Sequence, residues 1–113
     1  MNKWITSALI IGTLFSGQSM AQDESKDVIR LGIDVPYEPF VMRDADGQLE
    51  GFEIDLGNEL CARADLECSW VEQSWDGIIP GLLARKYDAI MSSMTINDER
   101  RQTVLFSDPY IKP

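Results

Sequence analysis

The 113-residue sequence contains no histidine and only two cysteines. Histidine is the base in Ser-His and Cys-His catalytic pairs, so a nucleophilic centre of that kind is excluded. Two thiols without any imidazole are also too few ligands for an ordinary zinc site. We therefore expect a chain that is not an enzyme of these classes and that holds neither a metal nor another cofactor.

Positive charge is scarce as well. Ten Lys and Arg residues stand against 19 Asp and Glu residues, which gives a formal net charge of −9 at pH 7. A chain with this balance is repelled by the phosphates of nucleic acids and by anionic membrane surfaces. We expect neither of them as a partner.

The sequence also lacks a long apolar run. The run at residues 4–15 is shorter than the roughly 20 residues that span a bilayer. It follows Lys3 and precedes the residues SMA at 19–21, which have the small-x-small pattern of a signal-peptidase site. We expect residues 1–21 to be a signal peptide and residues 22–113 to form the exported chain.

Export to an oxidising compartment bears on the two cysteines. Cys61 and Cys68 lie close together in the sequence CARADLEC. In an oxidising compartment such a pair predicts one local disulfide, and free buried thiols are the alternative.

The first half of the exported chain predicts a strand, a hairpin and a helix. Residues 28–33, VIRLGI, are rich in β-branched side chains, and Asp46-Gly47 is a dipeptide favoured in tight hairpin turns. Apolar residues recur four apart around residues 53–64, which predicts a helix. Its expected apolar face consists of Phe52, Leu56, Leu60 and Ala64.

Alternating strands and helices are also predicted for the second half of the exported chain. Pro80 lacks a backbone donor, which predicts an irregular start of the helix that contains it. Asn97 is suited to cap the short helix that follows it. This alternation predicts an α/β fold with a mostly parallel sheet and flanking helices. The remaining predicted elements are a strand at 67–71, a helix at 75–87, a strand at 88–92, a short helix at 98–103 and a strand at 104–107.

Aromatic, hydroxyl and charged residues follow three of the predicted strands. In α/β folds ligands bind beyond the carboxyl ends of the strands, so these residues are candidates for a binding site. Each of them alone also fits a packing, turn or surface role, and their coincidence at one sheet edge carries the hypothesis. The candidates are Asp34, Tyr37, Trp75, Ser92, Ser93, Thr95 and Arg100.

These residue types suit the recognition of a zwitterion. Arg100, with donors from Ser93 and Thr95 near a helix start, can bind a carboxylate. Aromatic rings can sandwich an aliphatic or cationic side chain, and Asp34 can pair with a distal positive charge. We therefore hypothesise a basic amino acid as the ligand: lysine, arginine or ornithine.

Four motifs occur in order along nearly the whole exported chain: IRLGIDVPYEPF, GFEIDLGNELC, WDGIIPGLLARKYDAIMSSMTINDERR and FSDPY. Together they resemble the family 3 extracellular solute-binding proteins. The resemblance implies a type II-like periplasmic binding fold. It also implies a periplasmic monomer that delivers polar amino acids, histidine included, to the membrane permease of an ABC transporter.

The resemblance further implies roles at the carboxylate end of the ligand. Arg100 would grip the ligand α-carboxylate. The backbone or hydroxyls of Ser93 and Thr95 would assist, and Ser92 would contact the ligand beside them.

At the side-chain end, the resemblance implies that Tyr37 and Trp75 cover the ligand from two faces. Asp34 matches the acid that meets the distal charge of basic ligands. Cys61 and Cys68 fall where lysine/arginine/ornithine and histidine binders of the family carry a disulfide.

The length of the sequence differs from the family pattern. Family members have two lobes joined by crossing strands, and SDPYIKP ends about where the first crossing should begin. We therefore expect residues 22–113 to be an incomplete N-terminal lobe, a fragment without the carboxylate that meets the ligand ammonium in lobe two.

Two alternatives remain open. A similar lobe can be fused to a membrane receptor as a ligand-binding sensor module. Some proteins with a similar fold are periplasmic dehydratases or lytic transglycosylases, for which Asp34, Asp55 or Asp76 would be the candidate acids. Each of these acids has a ready structural role, and no nucleophile with a base is evident, so the expected function is binding without catalysis.

Overall fold

The computed structural model describes residues 27–112, so the expected signal peptide at residues 1–21 lies outside the described residues. Within this range no helix is long and apolar enough to cross a membrane. The elements in chain order are β1 (Val28–Ile33), β2 (Met42–Arg43), β3 (Leu49–Glu50), α1 (Phe52–Arg63), β4 (Glu67–Glu72), a 3₁₀ turn (Trp75–Gly77), α2 (Ile78–Leu83), β5 (Ala89–Ile90) and α3 (Asp98–Arg101).

A three-stranded parallel sheet forms the centre of the fold. β1 is its middle strand and pairs with β4 on one side and β5 on the other. Ile33 at the end of β1 lies opposite Glu72, and Gly32 lies opposite Ile90. Because all three strands run in one direction, the residues that follow them emerge at one edge. The predicted α/β architecture with a mostly parallel sheet is confirmed.

The predicted hairpin is present, and the Asp44 side chain organises its turn. β2 and β3 pair antiparallel. One carboxylate oxygen of Asp44 accepts the N–H of Asp46 at 2.8 Å and that of Gln48 at 2.9 Å. Gly47 adopts φ 79°, a left-handed conformation that glycine takes without steric penalty.

Helix α1 forms where it was predicted, but it buries a different face. Phe52 and Leu60 of the expected apolar face are 45% and 53% exposed. A Cβ added to Gly57 would lie 2.6 Å from the ring of Trp70, so the helix approaches the sheet where its residues are small. The helix therefore buries the face that packs most closely against the sheet, and its largest apolar side chains remain partly exposed. The buried residues are Glu53, Ile54, Gly57 and Cys61.

A disulfide joins Cys61 of α1 to Cys68 of β4, as predicted from their spacing. The two Cα atoms are 6.0 Å apart, which is within the usual range for a disulfide. Nearby, the indole N–H of Trp70 donates to the side-chain oxygen of Asn58 at 3.1 Å. The disulfide and this hydrogen bond both hold α1 against β4.

Tyr87 fills the space between α2 and the sheet and is 1% exposed. Its hydroxyl donates to the backbone carbonyl of Ile78. Gly32 of β1 and Gly81 of α2 both face this side chain: a Cβ on Gly32 would lie 2.6 Å from the ring, and a Cβ on Gly81 would lie 2.3 Å from the hydroxyl oxygen. A second apolar cluster is formed by Ile33, Val41 and Ile54.

Three predicted elements are shorter than expected. The helix expected at 75–87 begins irregularly, as predicted, with a 3₁₀ turn, and α2 ends at Leu83 because Arg85 adopts a left-handed φ of 60°. The strand expected at 88–92 is reduced to Ala89–Ile90, and the helix expected at 98–103 to Asp98–Arg101.

The prediction of a strand at 104–107 is wrong. These residues form neither helix nor strand, and Leu105 is fully exposed. β1 is paired on both sides, and β4 and β5 each have a second, outer edge. An apolar run becomes a strand only where it lies along such an edge, and no strand of the described range pairs with this segment.

Gly57→Ala is expected to lower the free energy of unfolding by about 1–3 kcal/mol, because the added methyl group overpacks the contact with Trp70. The better helix propensity of alanine offsets at most about 1 kcal/mol. Denaturant unfolding measures the change. The control Ala62→Ser, at an exposed position of α1, should stay within about 0.5 kcal/mol of the parent. A variant as stable as the parent would contradict the close approach.

Candidate functional site

An open cavity of about 330 Å³ lies beyond the ends of β1, β4 and β5. The residues predicted from three separate strand ends meet here, and none of them lies elsewhere in the fold. The residues that line the cavity are Asp34, Tyr37, Trp75, Ser92, Ser93, Thr95 and Arg100.

Arg100 is held in place from three directions. Asn97 caps α3, as predicted, by accepting the backbone N–H of Arg100 at 2.8 Å. The guanidinium donates through Nη1 to the carbonyl of Thr95 at 2.6 Å, and its central carbon lies 5.5 Å from the centroid of the Trp75 ring. A guanidinium fixed in this way loses less side-chain entropy when it binds an anion.

Asp34 and Ser92 connect β1 to the turn after β5. The backbone N–H of Asp34 donates to Oγ of Ser92 at 3.0 Å, and Ser92 is buried. The Ser92 hydroxyl therefore accepts a structural hydrogen bond and keeps its own proton for another acceptor. Within residues 27–112 the Asp34 carboxylate makes no hydrogen bond or ion pair, although it lines the cavity.

Ser93 has a backbone conformation that is unusual for serine. Its φ of 52° lies in the left-handed region. Its hydroxyl donates to Oε1 of the buried Glu53, so its single proton points into the protein. The sequence analysis left open whether the backbone or the hydroxyl of Ser93 serves the ligand; in the structure the hydroxyl is engaged by Glu53, and the backbone N–H lies against the hydroxyl oxygen of Tyr110.

Tyr37 begins a row of aromatic side chains at the rim of the cavity. It is 53% exposed and stacks on Phe40, with 5.5 Å between the ring centroids. Phe40 meets Phe52 edge to face at 6.4 Å, and Phe52 lies 6.5 Å from Tyr110. The row extends from the cavity to the last described residues of the chain.

The sequence analysis missed the involvement of Glu53 and Tyr110. Glu53 is fully buried, and its carboxylate oxygens accept the Tyr110 hydroxyl at 3.0 and 2.9 Å. Burial and the neighbouring carboxylate raise the pKa of the Tyr110 phenol above its ordinary value. An acid in a first turn usually serves the helix dipole. The available signal was the spacing of Gly57 and Cys61, because small residues four apart indicate a closely packed helix face. Glu53 lies four residues before Gly57 and therefore on the same face.

The two charged residues at the cavity have no ion-pair partner among the described residues. Arg30, Arg43 and Arg63 each pair with a carboxylate of the chain. Arg100 pairs with no carboxylate of the described residues, and Asp34 likewise has no cation. The cavity thus presents one charge of each sign without an internal counter-ion. Residues 27–112 contain no group of acidic or thiol side chains placed to hold a metal ion.

A cleft at the carboxyl ends of parallel strands, with both charges available and aromatic rings at its rim, is the arrangement in which α/β proteins hold small polar molecules. The sequence matches the family model of the bacterial extracellular solute-binding proteins, family 3, over residues 29–113. The chain belongs to this family.

Several relatives of known specificity are similar to this chain. The L-arginine-binding protein of Pseudomonas aeruginosa is 52% identical over 82 residues, which cover 73% of this chain and 32% of that protein. The lysine/arginine/ornithine-binding periplasmic protein of Escherichia coli is 44% identical over 101 residues, or 89% of this chain and 38% of that protein. The chain thus spans about a third of the length of these relatives.

The fold is also that of a solved structure, the arginine-bound form of domain 1 from TmArgBP. The TM-score is 0.71 at 41% sequence identity, and the match covers 74% of this chain and 66% of that chain. The type II-like fold that the motifs implied is confirmed by this likeness.

Ser92→Ala is expected to lower the free energy of unfolding by about 1–3 kcal/mol, because the N–H of Asp34 loses its acceptor in a partly buried place. Denaturant unfolding measures the loss. Ser107→Ala is the matched control, since this exposed hydroxyl bonds only to the adjacent Asp108 carbonyl, and it should change stability by less than about 0.5 kcal/mol. Equal effects of the two variants would contradict the structural role of Ser92.

Proposed function

We propose that this chain forms one side of the amino-acid site of a periplasmic solute-binding protein that serves an ABC transporter. The ligands are basic amino acids such as lysine, arginine, ornithine and histidine. One observation carries the proposal: Arg100 and Asp34 line the same cavity, and neither has a counter-ion among the described residues. The specificities of the arginine-binding and lysine/arginine/ornithine-binding relatives support it.

Arg100 binds the ligand α-carboxylate in this proposal. A planar guanidinium matches a carboxylate with two parallel hydrogen bonds. The Thr95 carbonyl and the Trp75 ring fix the guanidinium without neutralising it. The hydroxyls of Ser92 and Thr95 add neutral donors next to it, so the carboxylate meets several donors at once.

Asp34 selects for positive charge at the other end of the ligand. Its carboxylate attracts the ammonium, guanidinium or imidazolium group of a basic side chain and repels acidic ligands. Tyr37 and Trp75 cover the aliphatic part of the side chain, where ring faces also attract cations. A glutamate ligand would bring its second carboxylate near Asp34 and lose affinity.

The exported chain would act in the periplasm as a monomer and pass its ligand to a membrane permease. This chain covers 32% and 38% of the two relatives, and the proposal leaves the other side of the cleft and the partner of the ligand α-ammonium to the part of such proteins that this chain does not match. The likeness to an arginine-bound isolated domain supports a one-sided site that holds a ligand by itself. The proposed role is binding rather than catalysis.

Arg100→Ala is expected to weaken arginine binding about 10- to 100-fold, which is the loss expected for one hydrogen-bonded charge. Isothermal calorimetry on the protein measures the dissociation constants. Arg101→Ala is the matched control, because Arg101 is its neighbour in α3 but does not line the cavity. Its affinity should match that of the parent, and equal losses in both variants would contradict the assignment.

Asp34→Asn is expected to remove the preference for basic ligands while keeping the shape of the side chain. Affinity for arginine should fall about tenfold or more, whereas affinity for glutamine, which has no distal charge, should change little. Asp76→Asn provides a control at an acid that does not line the cavity. Parallel loss of arginine and glutamine binding would show that Asp34 does not select charge.

A further inference from the structure

The buried carboxylate of Glu53 has no cationic partner within the described residues. Its side chain is 0% exposed, and its hydrogen bonds come from two hydroxyl groups, those of Ser93 and Tyr110. A buried carboxylate without a counter-ion is unfavourable unless hydrogen-bond donors and a dipole compensate it. Its position in the first turn of α1 supplies the positive end of the helix dipole. Loss of either hydroxyl would therefore leave the buried carboxylate with too few hydrogen-bond donors.

One of these hydroxyls belongs to the ligand cavity. Ser93 lines the cavity and holds its left-handed backbone while its side chain reaches Glu53. A non-glycine residue keeps such a conformation only when the surrounding contacts determine it. The hydrogen bond to Glu53 thus sets the direction in which the backbone of Ser93 faces the cavity.

The other hydroxyl belongs to residues 105–112, which form no helix or strand. Within the described range, every hydrogen bond between this segment and the rest of the chain involves Tyr110. The Tyr110 ring also contacts Phe52, the last ring of the aromatic row that begins at Tyr37 in the cavity. Tyr110 is therefore connected to the cavity by a polar path through Glu53, by the backbone N–H of Ser93 and by an aromatic path.

From this juxtaposition we propose that Glu53 is a positioning residue that couples the ligand cavity to the segment 105–112. It fixes the Ser93 turn for the ligand and tethers Tyr110 through the same carboxylate. Ligand contact with the turn that contains Ser93 stabilises this arrangement and so orders the segment. By linkage, release of Tyr110 weakens ligand binding by the same factor.

A double-mutant cycle tests the coupling, and its binding part rests on the proposed function. Tyr110→Phe keeps the ring and removes only the hydroxyl, and Glu53→Gln keeps the size but removes the charge. Each is expected to weaken arginine binding about tenfold by calorimetry, and the double variant should be no weaker than Glu53→Gln alone. Glu59→Gln, an exposed acid of the same helix, is the control and should bind as the parent does. Unchanged affinity of Tyr110→Phe, or losses that add, would overturn the proposal.

A ligand-free measurement separates this proposal from the proposed function. In amide NMR of the protein without ligand, Tyr110→Phe should shift the amides of the cavity residues Ser92 and Thr95 as well as that of Ser93, and lower the heteronuclear NOE of residues 108–112. The NOE values of β1 and β4 should stay unchanged. This result would hold even if arginine did not bind at all. A uniform change over the sheet, or a shift confined to Ser93, would contradict the coupling. Because Tyr110→Phe removes a single oxygen, the test stands even if Glu53→Gln fails to fold.

Discussion

The parallel pairing of β1 with both of its neighbours is the constraint on which the rest of the structure depends. The N–H of Gln73 donates to the carbonyl of Ile33 and that of Met91 to the carbonyl of Gly32, each at 2.9 Å. The chain leaves the sheet immediately after these bonds. Three loops that are distant in sequence therefore start from one edge, and a slip of one residue would turn their side chains to the opposite face.

Local chemistry predicted much of the fold. The Asp46-Gly47 dipeptide identified a hairpin, Asn97 identified the start of α3, and the alternation of strands and helices identified a parallel sheet. The site residues followed from the same alternation, because parallel strands place their carboxyl ends together. These features depend on a few neighbouring residues or on a rule of topology, which is why a sequence reveals them.

What the sequence did not reveal depends on distant partners. The buried face of α1 is selected by the approach of Trp70 to Gly57, and an apolar stripe through Leu60 gives no sign of it. The apolar residues 104–107 resemble a strand, but in the described fold they pair with neither outer edge of the sheet. Glu53 resembled an ordinary first-turn acid because Ser93 and Tyr110, which satisfy it, lie 40 and 57 residues away.

A site with one unpaired charge of each sign is electrostatically incomplete without its ligand. Salt bridges elsewhere in the fold neutralise Arg30, Arg43 and Arg63, whereas the guanidinium of Arg100 is held by a carbonyl and a ring. This arrangement leaves the guanidinium ready for an external carboxylate. The hydrogen bonds of Ser92 and Ser93 hold the turn beside it, so positioning and recognition come from adjacent residues.

The most direct test of this binding site is to map the amide NMR shifts of the protein during titration with arginine and, separately, with glutamate. Saturable arginine-dependent shifts centred on Asp34, Trp75, Ser93 and Arg100, with much weaker shifts for glutamate, are the predicted result. Equal shifts with both amino acids, or shifts confined to another face of the fold, would contradict the assignment of this cavity to basic amino acids.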